Sequence, residues 1–195
     1  MLHHLEKNID YDLILKEALD EKGYVSFVLH EPYWYCDGFQ IKKMYTGYAK
    51  QISNYYASLL GSNACSPRFY FQKKNFKLPY HKDLSTLCSI NYVLSNPLEK
   101  IKFMEGKYND STYYDTDEFG NTDYNYCLNY MLSNDEGIKE TEISYQCALV
   151  DVQKEHAVTN LSEDRRLLKI SIFDKTYDEV LNILLKKNLG FINPK

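Results

Sequence analysis

The chain has 195 residues, 44% of them hydrophobic, and a formal net charge of −4, which suits one domain with a full apolar core. Acidic and basic residues are mixed through most of its length, which argues against the basic patch of a nucleic-acid surface. No apolar run approaches the roughly 18 residues of a membrane span, and the opening Met1-Leu2-His3-His4-Leu5-Glu6 does not read as a signal peptide, so a soluble, cytoplasmic protein is expected.

The five cysteines, Cys36, Cys65, Cys88, Cys127 and Cys147, are an odd number without Cys-x-x-Cys spacing and are expected to be reduced thiols, mostly in the core. In chain order, Asp10 to Lys22 places Tyr11, Leu13, Ile14, Ala18 and Leu19 on one helical stripe, with Gly23 as a stop. Tyr24 to Leu29 is apolar enough for a strand. The stretch His30 to Gly38 reads as a loop carrying the only Trp, Trp34, either as a plug at one end of the core or as a pocket wall. Phe39 to Leu60 reads as a longer helix, since Ile41, Met44, Tyr48, Ile52, Tyr55, Tyr56 and Leu59 fall at helical spacing; Gly61-Ser62-Asn63 ends it.

From Pro67 the period changes to alternation. Phe69 to Gln72, the run into Tyr80, Cys88 to Leu94, Cys147 to Val150 and Arg165 to Phe173 all read as strands. In the last of these, Arg166, Leu168, Ile170 and Ile172 share one face, and Arg165, Leu167, Lys169 and Ser171 the other. From Cys88 the greasy parity is Cys88, Ile90, Tyr92 and Leu94, with Ser89, Asn91 and Val93 opposite. Each strand therefore has one greasy face for the helices to cover and one mixed face to line an interior. A lysine at position 169 on that interior needs an acidic partner or an anionic ligand.

Two short stretches carry the chemistry. In an extended strand, residues two apart share a face, so His81 and Asp83 can present an imidazole and a carboxylate to one ion while Lys82 points away. His156, on a second strand, would complete a set of two imidazoles and one carboxylate with the other coordination positions open, the ligand set of non-heme Fe(II) oxygenases.

The order His81-x-Asp83, a long gap, His156-x-Val158-x-Asn160, then an arginine nine or ten residues after the second histidine on an apolar strand resembles the Fe(II)/2-oxoglutarate dioxygenases. Within them it looks most like the prolyl hydroxylase and aspartyl/asparaginyl hydroxylase branches, including the free-proline hydroxylases. The likeness spans residues 67 to 174 and is one of motif and spacing. It implies a mainly β chain with supporting helices, folded as a double-stranded β-helix (a jelly-roll, cupin-like barrel). Residues 1–195 would form one domain, with helical support over 8–60, the barrel over 67–174 and a C-terminal amphipathic helix over 176–189 on the barrel's outside.

The resemblance further implies Fe(II) on His81, Asp83 and His156, with 2-oxoglutarate and O2 as cosubstrates and ascorbate as an optional reductant. An arginine would grip the far carboxylate of 2-oxoglutarate, for which a guanidinium's fixed fork is suited. Arg165 has the interior parity and Arg166 the ten-residue spacing, so both stay candidates; Tyr70 and Asn91, with Ser89, are further cosubstrate contacts or simply polar residues of a barrel wall. Asn160 is expected to form a turn. The implied reaction is oxidative decarboxylation of 2-oxoglutarate coupled to C–H hydroxylation of a free amino acid or, alternatively, of a prolyl, aspartyl/asparaginyl or other residue in a protein. Asp83 favours hydroxylation over halogenation. A zinc-binding or non-catalytic barrel is the rival class, and neither nucleic acid nor membrane is an expected partner.

Residues 109 to 136 fall outside the family pattern. Asn109 to Tyr124 holds acids and tyrosines with no Lys or Arg, and reads as an insertion between barrel strands with a hairpin turn near Gly120-Asn121. It is either a solvated acidic loop or a lid selecting a cationic substrate.

Overall fold

The structure, a computed structural model, describes residues 2–5, 9–29, 34–75, 78–83, 85–95, 100–105, 109–112, 128–132, 139–158 and 162–187; over 27–29, 34–37, 78–81, 104–105, 109–112, 128–132 and 139–140 it describes the backbone alone. In chain order the elements are β1 (Leu2–His4), α1 (Tyr11–Leu19), β2 (Val25–Leu29), β3 (Trp34–Lys43), α2 (Gly47–Leu60), β4 (Cys65–Gln72), β5 (Leu78–Asp83), β6 (Cys88–Val93), β7 (Lys100–Glu105), β8 (Asn109–Thr112), β9 (Leu128–Leu132), β10 (Lys139–Ser144), β11 (Cys147–Val150), β12 (His156–Val158), β13 (Arg165–Ile172) and α3 (Tyr177–Lys186).

Two antiparallel sheets result. Among the described residues, sheet A has the order β1-β11-β6-β13-β4-β3-β2 and sheet B the order β10-β7-β12-β5-β9-β8. The pairs β4·β13, β5·β12, β6·β11 and β7·β10 are nested, as in one long hairpin. Successive strands from β4 to β7, and again from β10 to β13, alternate between the sheets, so that hairpin is rolled into a barrel. This is a double-stranded β-helix, mainly β with helices on one side.

Alternation decides what each face meets. Phe69, Cys88, Ile90, Tyr92, Cys147, Leu149, Leu168, Ile170 and Ile172 face outward from sheet A and pack with Ile14 and Ala18 of α1, Ala49, Ile52, Tyr56 and Leu60 of α2, and Val180 and Leu184 of α3. Each fully buried Leu, Ile, Val or Phe among them contributes about 1.5–3 kcal/mol. A second cluster, including Phe39, Ile41, Tyr70, Val93, Phe103, Ala148, Val158 and Leu167, fills the space between the sheets. Cys88 and Cys147 are buried free thiols and Cys65 is half-buried; burial pushes the Cys147 thiol up to about 12.

One predicted element is corrected. Phe39 to Lys43 is not helical but the end of strand β3, and the helix begins only at Gly47. Phe39 and Ile41 alternate toward the barrel interior, opposite Gln72 and Tyr70 of β4, whose edge they pair. The loop expected up to Gly38 is shorter accordingly, since β3 starts at Trp34. Gly47 has φ of +83° and lies against the Glu17 carboxylate of α1, so a side chain would both strain the backbone and collide. Glu17 accepts hydrogen bonds from the backbone N–H of Tyr48 (2.5 Å) and Ala49 (3.0 Å), and so caps α2 in place of Thr46, which makes no side-chain cap. The first helix covers its whole apolar stripe but ends at Leu19, short of the expected Lys22, and α3 runs Tyr177–Lys186 behind a Thr176/Glu179 capping box.

The insertion lies at the tip of the long hairpin, between β7 and β10. Its described parts, β8 and β9, pair with each other, and β9 runs beside β5 with Tyr130 opposite His81 and Leu128 opposite Asp83. Residues 113–127, with the expected turn at Gly120-Asn121, lie outside the described residues. Among the described residues no helix is long and apolar enough to cross a membrane.

Candidate active site

β5 carries His81 and Asp83 in one extended run, and β12 is its antiparallel neighbour, with the Cα of His156 opposite that of His81. Residues directly opposite in such a pair share a face, as do residues two apart on one strand. Positions 81, 83 and 156 thus fall on one side of sheet B. On its other flank His156 is opposite Phe103 of β7, an interior residue, and their rings lie 6.4 Å apart. The side chain of His81 is outside the described residues, and among the described ones no three His, Cys, Asp or Glu side chains gather as a metal site.

His156 is buried, and its Nδ1 lies 2.9 Å from the Lys154 carbonyl. A carbonyl can only accept, so Nδ1 carries a proton, and in the neutral ring this leaves the lone pair on Nε2, the tautomer a metal-binding imidazole needs. Asp83 is 2% exposed. Its backbone N–H donates to the Val152 carbonyl (3.0 Å), and its own carbonyl, with that of Thr86 (2.7 Å), accepts from Gln153 Nε2. Beside it, Lys82 points to the other face of the strand and pairs with Glu155 at 2.5 Å. The segment just before His156 therefore clamps the strand end that bears Asp83. Gln153 went unnoticed in the sequence because its two acceptors are backbone carbonyls, which leave no trace in residue identity.

Lys169, on the interior face of β13, donates to Asp83 Oδ2 in a buried ion pair and lies 5.7 Å from the centre of the Tyr70 ring. Of the two companions that parity called for, an acidic partner or an anionic ligand, the first is present across the barrel. Burying both charges is tolerable only because each answers the other.

Four residues along β13, Arg165 is 5% exposed and faces the same interior. Its Nη2 donates to the Tyr145 hydroxyl (3.3 Å), which also accepts from Asn91 Nδ2 (3.4 Å). Tyr145, in the turn between β10 and β11, is a second residue the sequence did not single out; only the sheet-to-sheet crossing brings it under Arg165. Gln72, opposite Arg165, ties the sheets together through its bond to the Val158 carbonyl at 3.2 Å. Arg166 takes the opposite face. Its guanidinium donates to the Ala18 carbonyl at the end of α1 (3.4 Å) and stacks 4.5 Å from the Phe71 ring, so it is outside the barrel. Tyr70, Asn91 and Ser89 are all interior and buried, whereas Asn160 lies outside the described residues.

The fold has relatives among solved structures. A prolyl-4-hydroxylase from Pseudomonas putida superposes with a TM-score of 0.50 at 13% identity, over 90% of this chain and 92% of that one. The chain resembles a prolyl-4-hydroxylase in fold. The ectoine synthase of P. lautus matches at 0.39 and 9% identity (86% and 81% covered), and the DMSP lyase DddQ of Ruegeria pomeroyi DSS-3 at 0.33 and 11% identity. This chain spans only 40% of that lyase's length, with 58% of its own covered. No family model matches the chain, and no curated protein sequence matches it significantly.

Of the two candidate donors whose side chains are described, His156 has its outer nitrogen engaged by a carbonyl, as a metal-bound imidazole commonly does, while Asp83 is held through Oδ2 by the Lys169 ammonium.

Proposed function

We propose that the protein is an Fe(II)/2-oxoglutarate-dependent dioxygenase that hydroxylates a C–H bond of a small substrate, a free amino acid in the first instance and a residue in a protein in the second. The observation that carries this reading is the register of β12 on β5, with His156 opposite His81 and Asp83 two residues further along. In this reading His81, Asp83 and His156 hold the metal on one side, and Arg165 receives the distal carboxylate of 2-oxoglutarate. Bound Fe(II) would supply oxidation by O2 coupled to decarboxylation of 2-oxoglutarate. The chain's own part is to keep the ligands oriented through Lys154, Val152 and Gln153. Tyr145 positions the guanidinium, and the apolar residues Phe103, Val158 and Leu167 exclude water. Arg165 is favoured over Arg166 because it shares the interior with Asp83 and His156, whereas Arg166 is engaged by the helix end.

The Lys169–Asp83 ion pair favours one rival, a metal-free barrel that binds small molecules. An anaerobic Fe(II) titration separates the two. A visible charge-transfer band on adding 2-oxoglutarate, lost in His156→Ala, is expected for the oxygenase; its absence from the folded wild type would sink the reading. Zn²⁺ gives no such band, so a zinc site would show as tight metal binding without colour. Succinate release across a panel of amino acids and short peptides then identifies the substrate.

A further inference from the structure

Lys169 is one of a row. On the interior face of sheet A it is opposite Arg68 of β4 on one side and Asn91 of β6 on the other, and Arg68 is in turn opposite Lys43 of β3. Directly opposed residues of antiparallel strands lie about 4.5–5.5 Å apart at Cα, so three cationic side chains stand shoulder to shoulder. Like charges placed this way destabilise a sheet. Arg68 is 4% and Lys169 6% exposed, so little water screens them. Lys43 is half-buried, and burial, with the Arg68 guanidinium second, holds its ammonium below the usual lysine range.

The next row along the same face is made of hydroxyls. Ser171 is opposite Ser89 on one side and Ser66 on the other. The side chains of Ser89 and Ser171 are fully buried, and neither Oγ has a hydrogen-bond partner among the described residues. Buried hydroxyls nearly always have one, so two facing hydroxyls beside a cationic row point to a ligand with acceptor oxygens. Asp83 lies at this end of the barrel through its bond to Lys169, and Arg165 lies four residues away along β13.

We propose that Lys43, Arg68 and Lys169, with the hydroxyls of Ser89 and Ser171, form a carboxylate-binding site for an amino-acid substrate, separate from Arg165 and beside Asp83. Lys169 already holds the Asp83 carboxylate, so in this site an anionic group of the substrate is taken chiefly by the other two cations, with Lys43 at the entrance and the Arg68 fork offered to both oxygens. It deepens the function proposed above, on which the word substrate rests, and it runs against an acidic lid choosing a cation as the sole selector. A substrate held here by its α-carboxylate has its side chain free to lie toward Asp83.

The test uses the metal-free protein, so it does not depend on iron chemistry. Calorimetric titration with each common amino acid, and with its α-carboxamide, is expected to find at least one binder that loses about tenfold or more as the amide. Arg68→Gln should cost that binder a similar factor, Lys43→Gln a smaller one, and Arg68→Lys should restore part of it, while Arg166→Gln, on the helix-facing side, leaves it unchanged. Thermal unfolding of each variant shows whether it is folded; should Arg68→Gln be unfolded, the half-exposed Lys43→Gln and the small Ser171→Ala take its place. Failure of every amino acid to bind, equal binding of acid and amide, or loss in Arg165→Gln with retention in Arg68→Gln overturns the proposal. A missing iron band with amino-acid binding intact would sink only the oxygenase reading.

Discussion

The two faces of sheet A are built from alternate residues of the same strands, yet they hold opposite chemistry. Under the helices lie Phe69, Ile90, Leu149, Leu168, Ile170 and Ile172, all fully buried and apolar. A pleat away, facing sheet B, are Arg68, Ser89, Asn91, Arg165, Lys169 and Ser171, equally removed from water and polar. Apolar burial adds stability in proportion to area, whereas a buried ion pair returns little beyond its own desolvation. The difference teaches that the helix side maintains the fold, whereas the barrel side gives its burial to polar and charged groups, the ones on which both proposed ligand sites are built.

Removing one partner of the buried pair should have the largest effect. Asp83→Ala leaves the Lys169 ammonium buried opposite Arg68 and is expected to cost about 3–5 kcal/mol in urea unfolding, most of it recovered when Lys169→Met is added. A double variant as unstable as the single one would show that the pair is not the source. On the helix side, Ile170→Ala opens a cavity and should cost about 2–5 kcal/mol with an unchanged urea slope and unaltered amino-acid binding. A change in binding there would mean that the two faces are not independent.

The adjacent arginines make the same comparison within one dipeptide. Arg165→Gln should weaken anaerobic 2-oxoglutarate binding to the Fe(II)-loaded protein by about 10–100-fold, the factor for one charged hydrogen-bonded contact of about 1.5–3 kcal/mol. Arg166→Gln should leave it within about twofold, because its guanidinium serves the Ala18 carbonyl and the Phe71 ring. The reverse order of effects would reassign the cosubstrate contact.

The smallest effect is expected at the helix rim. The backbone N–H of Thr176, then its hydroxyl, hold the Glu179 carboxyl below its usual 4.5. A depressed folded value means that this contribution is present above the unfolded value and is lost as pH falls through the folded one. Between about pH 5 and pH 3 the wild-type melting temperature should fall slightly more than that of Glu179→Gln, whose amide can still accept at the cap but does not titrate. Parallel curves would remove Glu179 from the acid response.

Much of the barrel was legible because alternation is a local signal. Leu168, Ile170 and Ile172 against Arg165, Lys169 and Ser171 give the two faces of β13 from residue order alone. The start of α2 was not legible, since Ile41 and Met44 fit the helical stripe of Tyr48 and Ile52 as well as a strand. The open edge of β4 broke that tie. β7 and β10 also went unread, although Lys100-Ile101-Lys102-Phe103 alternates, because these strands are short and charged on their outer face, where Lys100 and Lys102 pair with Glu142 at 3.2 and 3.1 Å. Of the candidate site, the histidines, Asp83 and the interior arginine could be named beforehand. Tyr145 and Gln153 could not, for neither sits in a motif.

Residue order by itself determined which side chains share a face: His81 with Asp83, Arg165 with Lys169, and Arg166 with the helix-facing leucine and isoleucines. Only the tertiary structure decided what each face meets. It brought Lys169 to Asp83 across 86 positions, Gln153 to the Asp83 carbonyl across 70, and Arg68 and Lys43 into line with Lys169. The reason is that pleat and helical pitch repeat over two to four residues and are written into neighbouring side chains, while strand register is set by the closure of the whole barrel.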